Sequence, residues 1–168
     1  MHTGDLFLPD KPCLEIAQDV YLLKQFLIND APALLSAIDT VCIEAPPRKM
    51  QTPGGYQMSA AITNCGQFGW VTDKHGYRYS EQDPLTGKAW PAMPPLFQLL
   101  ANRAAKMAGF EDFRPDACLI NQYSPGAKMG LHQDKDEMDL AQPIVSFSLG
   151  LPVVFQFGGA KRADSRQN

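Results

Sequence analysis

The spacing of apolar positions changes several times along the chain, and each change marks an element. Val20 to Phe26 is a nearly continuous apolar run that reads as a strand. Leu34, Leu35 and Ile38 then recur at helical spacing, with Asp30 placed to cap a helix over about 31–43 and Pro46-Pro47 placed to stop it. From Gln51 to Pro95 the aliphatic runs give way to glycine, proline, threonine and tyrosine, which predicts short strands and exposed connections suited to gripping a ligand from above. Helical spacing returns at Phe97, Leu100, Ala101, Ala104 and Met107, followed by Gly109 as the stop. Cys118–Tyr123, Ile144–Leu149 and Val153–Phe157 read as strands, the last two parted by Gly150-Leu151-Pro152. Residues 1–12 are turn-rich.

Two helices followed by sequential strands predict an α+β domain with the helices on one face of a largely antiparallel sheet, and the double-stranded β-helix, or jelly roll, is the leading form. Ile144–Leu149 and Val153–Phe157 are apolar on both parities, as strands covered on either side would be. The tail 160–168 is polar and unpatterned and supplies no further buried strand. The expectation is one domain over residues 1–168, missing its C-terminal strands.

Composition narrows the class. A chain of 168 residues with 45% hydrophobic content buries one core and is short for two. A formal charge of −3 argues against a wholesale polyanion binder of the histone type but leaves room for a local basic patch, so net charge does not settle the partner. Cys13, Cys42, Cys65 and Cys118 form no C-x-x-C pair, so zinc-ribbon and thioredoxin motifs are absent and a reducing cytoplasmic setting fits. No secretory leader pattern is seen, and no run nears the roughly 18 apolar residues of a membrane span.

The candidate chemistry centres on His132-x-Asp134. Residues at i and i+2 of an extended segment share a face, and an imidazole with a carboxylate is two thirds of the 2-His-1-carboxylate triad that holds non-haem Fe(II). A histidine near an aspartate also commonly makes a surface hydrogen bond, so both readings stand. The histidines are His2, His75 and His132, and none follows His132. Asn121 and Tyr123 share a strand face with Leu119: either an amide and a phenol line a pocket, or a packed aromatic follows the start of a turn. Trp70 lies beside glycines and ahead of Gly76-Tyr77-Arg78-Tyr79. Such aromatics on glycine-rich segments can stack on unpaired bases, or can be ordinary packing residues.

Several ordered blocks carry a resemblance. They are Met50-Gln51-Thr52-Pro53-Gly54-Gly55-Tyr56-Gln57-Met58-Ser59, Thr63-Asn64-Cys65-Gly66, Trp90-Pro91-Ala92-Met93-Pro94, the run from Phe113 to Asn121, His132-Gln133-Asp134-Lys135-Asp136-Glu137, Ser148-Leu149-Gly150-Leu151-Pro152 and Phe157-Gly158-Gly159. Together they resemble the AlkB-type Fe(II)- and 2-oxoglutarate-dependent dioxygenases that repair alkylated nucleic acid. The resemblance implies a jelly roll that oxidatively demethylates 1-methyladenine and 3-methylcytosine in single- or double-stranded DNA or in RNA, as a monomer when complete. It implies His132 and Asp134 as iron ligands, and Asn121 and Tyr123 as hydrogen-bonding partners of 2-oxoglutarate. Trp70 and the ring of His132 resemble the pair that sandwiches the extruded base, and Asp136 the carboxylate that reads its exocyclic amine. Thr52, Tyr56, Met58, Ser59 and Tyr77 correspond to the substrate-gripping lid, and Arg162 to a DNA-contacting arginine.

In the family the pattern continues past Gly159 with a second histidine ligand and arginines for the 2-oxoglutarate carboxylates, which these 168 residues lack. Little turnover is therefore expected of this chain. The alternatives are a noncatalytic nucleic-acid-binding remnant and an interaction protein completed by a partner chain.

Overall fold

A computed structural model describes residues 12–159 and the backbone of 166–167. The chain runs β1 (Cys13–Ala17), β2 (Val20–Leu23), α1 (Ala31–Glu44), β3 (Ala61–Gly66), β4 (Gly69–Asp73), β5 (Gly76–Ser80), α2 (Pro95–Met107), β6 (Ala117–Gln122), β7 (Phe157–Gly158) and β8 (Arg166–Gln167). The strands form four antiparallel pairs, β1–β2, β3–β6, β4–β5 and β7–β8. The antiparallel α+β layout holds, without a closed barrel among the described residues.

Both helices lie where apolar periodicity put them, with two corrections to α1. Its inward stripe is Leu34 and Val41, helped by the partly buried Ala37 and Ile38, whereas Leu35 is 48% exposed. Asp30 occupies the N-cap position but makes no side-chain cap. Its carboxylate instead faces Arg103 of α2 at 3.8 Å. In α2 the stripe is Phe97, Leu100, Ala101, Ala104 and Ala105, and Met107, the last helical residue, is 40% exposed. Gly109 ends α2 as expected: at φ +91° it lets its own N–H reach the Lys106 carbonyl and that of Phe110 reach Ala105, the paired bonds of a Schellman stop.

β3 is the organising strand. Ile62, Thr63, Asn64 and Cys65 are all fully buried. One face of β3 sends Cys65 into a core shared with Leu34, Val41, Met93, Phe97 and Leu100, while the other sends Ile62 toward Met50, Ala60, Val71 and Trp90. The segment 51–95 is therefore only in part the exposed lid that its composition suggests. Thr63 is buried there with its polar group paired: its hydroxyl donates to the Ala45 carbonyl at 2.6 Å. Ahead of β3, Arg48 forms a bidentate pair with the buried Asp83.

The strands expected at Ile144–Leu149 and Val153–Phe157 are not formed. Only Phe157–Gly158 pairs, with Arg166–Gln167. Phe147 and Leu149 do pack against the helical core, but Ile144, Val153, Val154 and Phe155 are 60–76% exposed. A β-prone run becomes a strand only where a second backbone takes up its N–H and C=O groups, and no strand is formed over 144–156 among the described residues. The run begun at Val20 likewise stops at Leu23, where the chain turns through Gln25 at φ +58°. Sequence reading also missed β1, which pairs with β2. No helix among the described residues is long and apolar enough to cross a membrane.

Gly69 opens β4 against the indole of Trp90, whose ring nitrogen donates to the Ser80 carbonyl at 2.9 Å. A Cβ at position 69 would lie 2.4 Å from Trp90 Cε2 and 2.8 Å from Asn64 Cβ. Overpacking of this kind costs about 1–3 kcal/mol. Gly69→Ala is therefore expected to lower the unfolding free energy by that amount, read as a lower urea midpoint at unchanged m-value.

Candidate active site

The site is assembled on the β4–β5 hairpin. β4 pairs with β5 so that Trp70 lies opposite Tyr79 and Thr72 opposite Tyr77, which puts all four side chains on one face. Two backbone contacts set the height of Trp70. The fully buried Asn64 amide donates to the Trp70 carbonyl and accepts from the Trp70 N–H, both at 3.0 Å. Gly66 makes the turn at φ +113°, where a Cβ would lie 2.5 Å from the Asp116 carbonyl oxygen.

Trp70 is partly exposed, as a stacking residue must be. Its ring stacks on Tyr77, with centroids 5.6 Å apart and planes 20° apart, and its indole N–H donates to Asp136 at 3.4 Å. Beside it the Tyr79 hydroxyl donates to Glu137 Oε1 at 3.1 Å. Burial raises the Tyr79 pKa above its ordinary value, and the carboxylates of Glu137, Asp134 and Asp136 add to the shift, so the phenol stays a donor at neutral pH. Glu137 Oε2 and Thr72 Oγ1 are buried without a hydrogen-bond partner.

His132 and Asp134 lie on an irregular connection rather than a strand. The two side chains nonetheless meet, with Nε2 of the ring 3.2 Å from Asp134 Oδ1. The ring Nδ1 lies 2.7 Å from the Gly130 carbonyl. A carbonyl only accepts, so Nδ1 carries the proton and, in the neutral ring, the lone pair is on Nε2, beside the carboxylate. A backbone carbonyl orienting a ring in this way is the usual support of a metal-binding histidine.

The fold connects other expected positions to this region. The Ser59 hydroxyl accepts the Lys128 N–H at 3.0 Å, tying the segment before β3 to the connection that carries His132. Thr52 and Tyr56 close a tight loop through Thr52 N–H to the Tyr56 carbonyl at 2.8 Å, leaving the Tyr56 ring 78% exposed, while Met58 packs against the Ile62 core. On β6, Asn121 pairs with Ile62 and so faces away from the helices. Its Oδ1 is buried without a partner, and the adjacent Tyr123, just past the end of the strand, is 45% exposed with its pKa raised by burial. Arg162 lies outside the described residues. Arg78 is held in a bidentate pair with Asp73, at 3.0 and 2.8 Å. That guanidinium and the His75 N–H hold the Asp73 pKa at about 2, against 3.8 for a free carboxyl. The depressed value makes the pair's contribution present above pH 3.8 and lost as pH falls through about 2, so hairpin chemical shifts are expected to titrate there.

Three contributors lacked a role in the sequence reading. Tyr79 was legible in principle, since it shares the parity of Tyr77. Asn64 and Glu137 were not, because their partners Trp70 and Tyr79 reach them only through the tertiary packing of the β4–β5 hairpin. Asn64→Ala removes both bonds that seat Trp70. It is expected to cost about 1–3 kcal/mol for the buried groups left unpaired, and a change in Trp70 fluorescence in the folded variant is the check.

The donor set fits Fe(II) as far as it goes. One imidazole nitrogen and one carboxylate are converged and suit a divalent first-row metal. No group of three or more histidine, cysteine, aspartate or glutamate side chains is placed to hold a metal among the described residues. The unpartnered Asn121 amide fits 2-oxoglutarate: a half-turn about its last torsion presents N–H donors where the lone oxygen now lies, and a carboxylate accepts from them.

The chain matches the 2OG-Fe(II) oxygenase superfamily over residues 19–168. It is 56% identical over 161 residues to the alpha-ketoglutarate-dependent dioxygenase AlkB of Escherichia coli, an alignment covering 95% of this chain and 74% of that protein. It is 43% identical over 137 residues to the AlkB homolog of Caulobacter vibrioides, covering 82% of this chain and 60% of that protein. Human nucleic acid dioxygenase ALKBH1 is 33% identical over 97 residues, 57% of this chain and 24% of that protein.

Proposed function

Because the chain belongs to the 2OG-Fe(II) oxygenase superfamily, we propose that it oxidatively demethylates alkylated bases such as 1-methyladenine and 3-methylcytosine, and so repairs alkylated DNA, with RNA as a further substrate. It is a dioxygenase whose cofactor and co-substrate are Fe(II) and 2-oxoglutarate. The fold this implies is a jelly roll, and the antiparallel pairs β3–β6 and β4–β5 agree with it.

One observation carries the substrate reading. The partly open Trp70 ring is stacked on Tyr77 and held at its edge by Asp136, which lies two residues in sequence from the carboxylate of the converged His132–Asp134 pair. Methylation at adenine N1 or cytosine N3 makes the base a flat cation. Aromatic faces and a cluster of carboxylates bind such a cation better than they bind a neutral base. Extrusion also costs least where methylation has already broken the pair.

In this reading His132 and Asp134 hold the iron, and Asn121 and Tyr123 orient 2-oxoglutarate. Trp70 and the His132 ring sandwich the base, and Asp136 reads its exocyclic amine. Thr52, Tyr56, Met58, Ser59 and Tyr77 grip the strand, and Arg162 contacts it. The bound iron and 2-oxoglutarate, with O2, supply oxidation of the N-methyl group, which leaves as formaldehyde while 2-oxoglutarate leaves as succinate and CO2. The protein acts as a monomer in the cytoplasm, where its four free thiols are kept reduced unless an oxidant such as peroxide is present.

The test is loss of the methyl mass from a 1-methyladenine oligonucleotide, with stoichiometric formaldehyde, dependent on both Fe(II) and 2-oxoglutarate. Tight binding of that oligonucleotide without methyl loss would replace this reading with a noncatalytic binder.

A further inference from the structure

Two thiols face each other across β3 and β6, away from the residues assigned above. Cys65 and Cys118 are direct cross-strand partners. Both side chains enter the helix-side core, Cys65 with no exposure and Cys118 partly open.

The backbone fixes how close they come. Arg48 and Ile62 exchange both of their backbone hydrogen bonds, at 3.0 and 2.8 Å, so Ile62 turns its N–H and C=O away from β6. These groups alternate along a strand, and Cys65, three positions on, turns its own toward β6. Cys65 and Cys118 are thus a hydrogen-bonded pair, whose Cα atoms are about 5.5 Å apart, within the range of about 4.4–6.8 Å that disulfides span. The two thiols lie close enough to influence each other's ionisation. Their interaction, with burial, raises the Cys65 thiol, and their interaction lowers that of Cys118 against the opposing effect of burial. Because Cys65 is sealed while Cys118 is partly open, Cys118 is the sulfur that an oxidant reaches first.

We propose that Cys65 and Cys118 form a modification site, a dithiol that hydrogen peroxide closes into an intramolecular disulfide stapling β3 to β6. The Cys118 thiolate attacks one peroxide oxygen, the O–O bond breaks, and a sulfenic acid forms as hydroxide departs and is protonated to water. The Cys65 sulfur then attacks the Cys118 sulfur, the S–S bond forms, the S–O bond breaks, and the Cys65 proton leaves with the oxygen as a second water. The two thiols lose two electrons and the peroxide gains them. Side chains of a hydrogen-bonded pair stand farther apart than those of the alternate pairs, so closure strains the ladder, and strained disulfides are the readily reduced ones. The staple joins the strand that carries Asn64 to the strand that carries Asn121, so it stiffens the support of both Trp70 and the 2-oxoglutarate partner.

Cys42 of α1 is the competing thiol, being near enough to influence Cys65. The test treats the reduced full chain with a small excess of hydrogen peroxide, alkylates the remaining thiols, and reads intact mass and a peptide map. The expected product has lost two hydrogens and two alkylation sites, yields a Cys65–Cys118 linked peptide, and returns to the dithiol with dithiothreitol. Cys65→Ser should strand Cys118 as a sulfenic acid trapped by dimedone, and Cys42→Ser should leave the linkage intact. Thiols unchanged by peroxide, a Cys42–Cys65 linkage, or a sulfinic acid at Cys118 in the unsubstituted chain would each overturn the proposal. The unsubstituted chain gives these outcomes even if a serine variant fails to fold.

Discussion

Asp134→Ala and His132→Ala are each expected to lower Fe(II) affinity by at least about 100-fold, because loss of even a supporting outer contact of a metal site costs about 10–100-fold and these two side chains are the proposed donors. The ring and carboxylate already converge at 3.2 Å, with the Gly130 carbonyl fixing the tautomer. Asp134→Asn is the sharper probe, since it keeps the size of the side chain but removes the charge that a divalent cation needs. Anaerobic Fe(II) titration by calorimetry reads the effect without turnover. Both side chains are about half exposed, at 56% and 48%, so the substitutions should leave thermal stability nearly unchanged. Wild-type Fe(II) affinity in Asp134→Asn would remove the pair from the metal site.

Trp70→Ala is expected to weaken binding of a 1-methyladenine oligonucleotide by about 1–3 kcal/mol, a roughly 5- to 150-fold loss of affinity, which is the worth of one base stacked on an aromatic ring. Trp70→Phe should recover most of it, since a stacking face remains and only the donor to Asp136 is lost. Asp136→Asn separates stacking from charge. It leaves an acceptor for the indole while removing a carboxylate from the face that meets the cationic base, so preference for the methylated over the unmethylated oligonucleotide should fall more than affinity for the latter. Fluorescence anisotropy on folded variants measures both effects. Unchanged affinity in Trp70→Ala would take the ring out of the substrate site.

The residues that were legible without coordinates are those whose surroundings are local. α1 was expected over about 31–43 and spans Ala31–Glu44, and Gly109 stops α2 by a positive φ and carbonyls only a turn away. Helical hydrogen bonds join neighbours in the chain, so periodicity and a terminator define them. The pairing of His132 with Asp134 and the motif blocks around them were visible for the same reason of short range, and they identified the family.

Tertiary structure decided whatever depends on a distant partner. Thr63 and Asn64 look like surface residues in a polar stretch, yet both are fully buried, because the Ala45 carbonyl and the Trp70 backbone satisfy them. Asp30 gives up its cap for Arg103, which only the packing of α1 beside α2 brings near. Val153 and Val154 have strong β preference and form no ladder, since preference supplies no partner backbone. The contacts that make the site, Trp70 to Asp136 and Tyr79 to Glu137, span 66 and 58 positions. Parity along one strand says which residues share a face, but the register between strands and the path of the connection carrying His132 say which faces meet, and those are fixed only when the two cores on either side of β3 close.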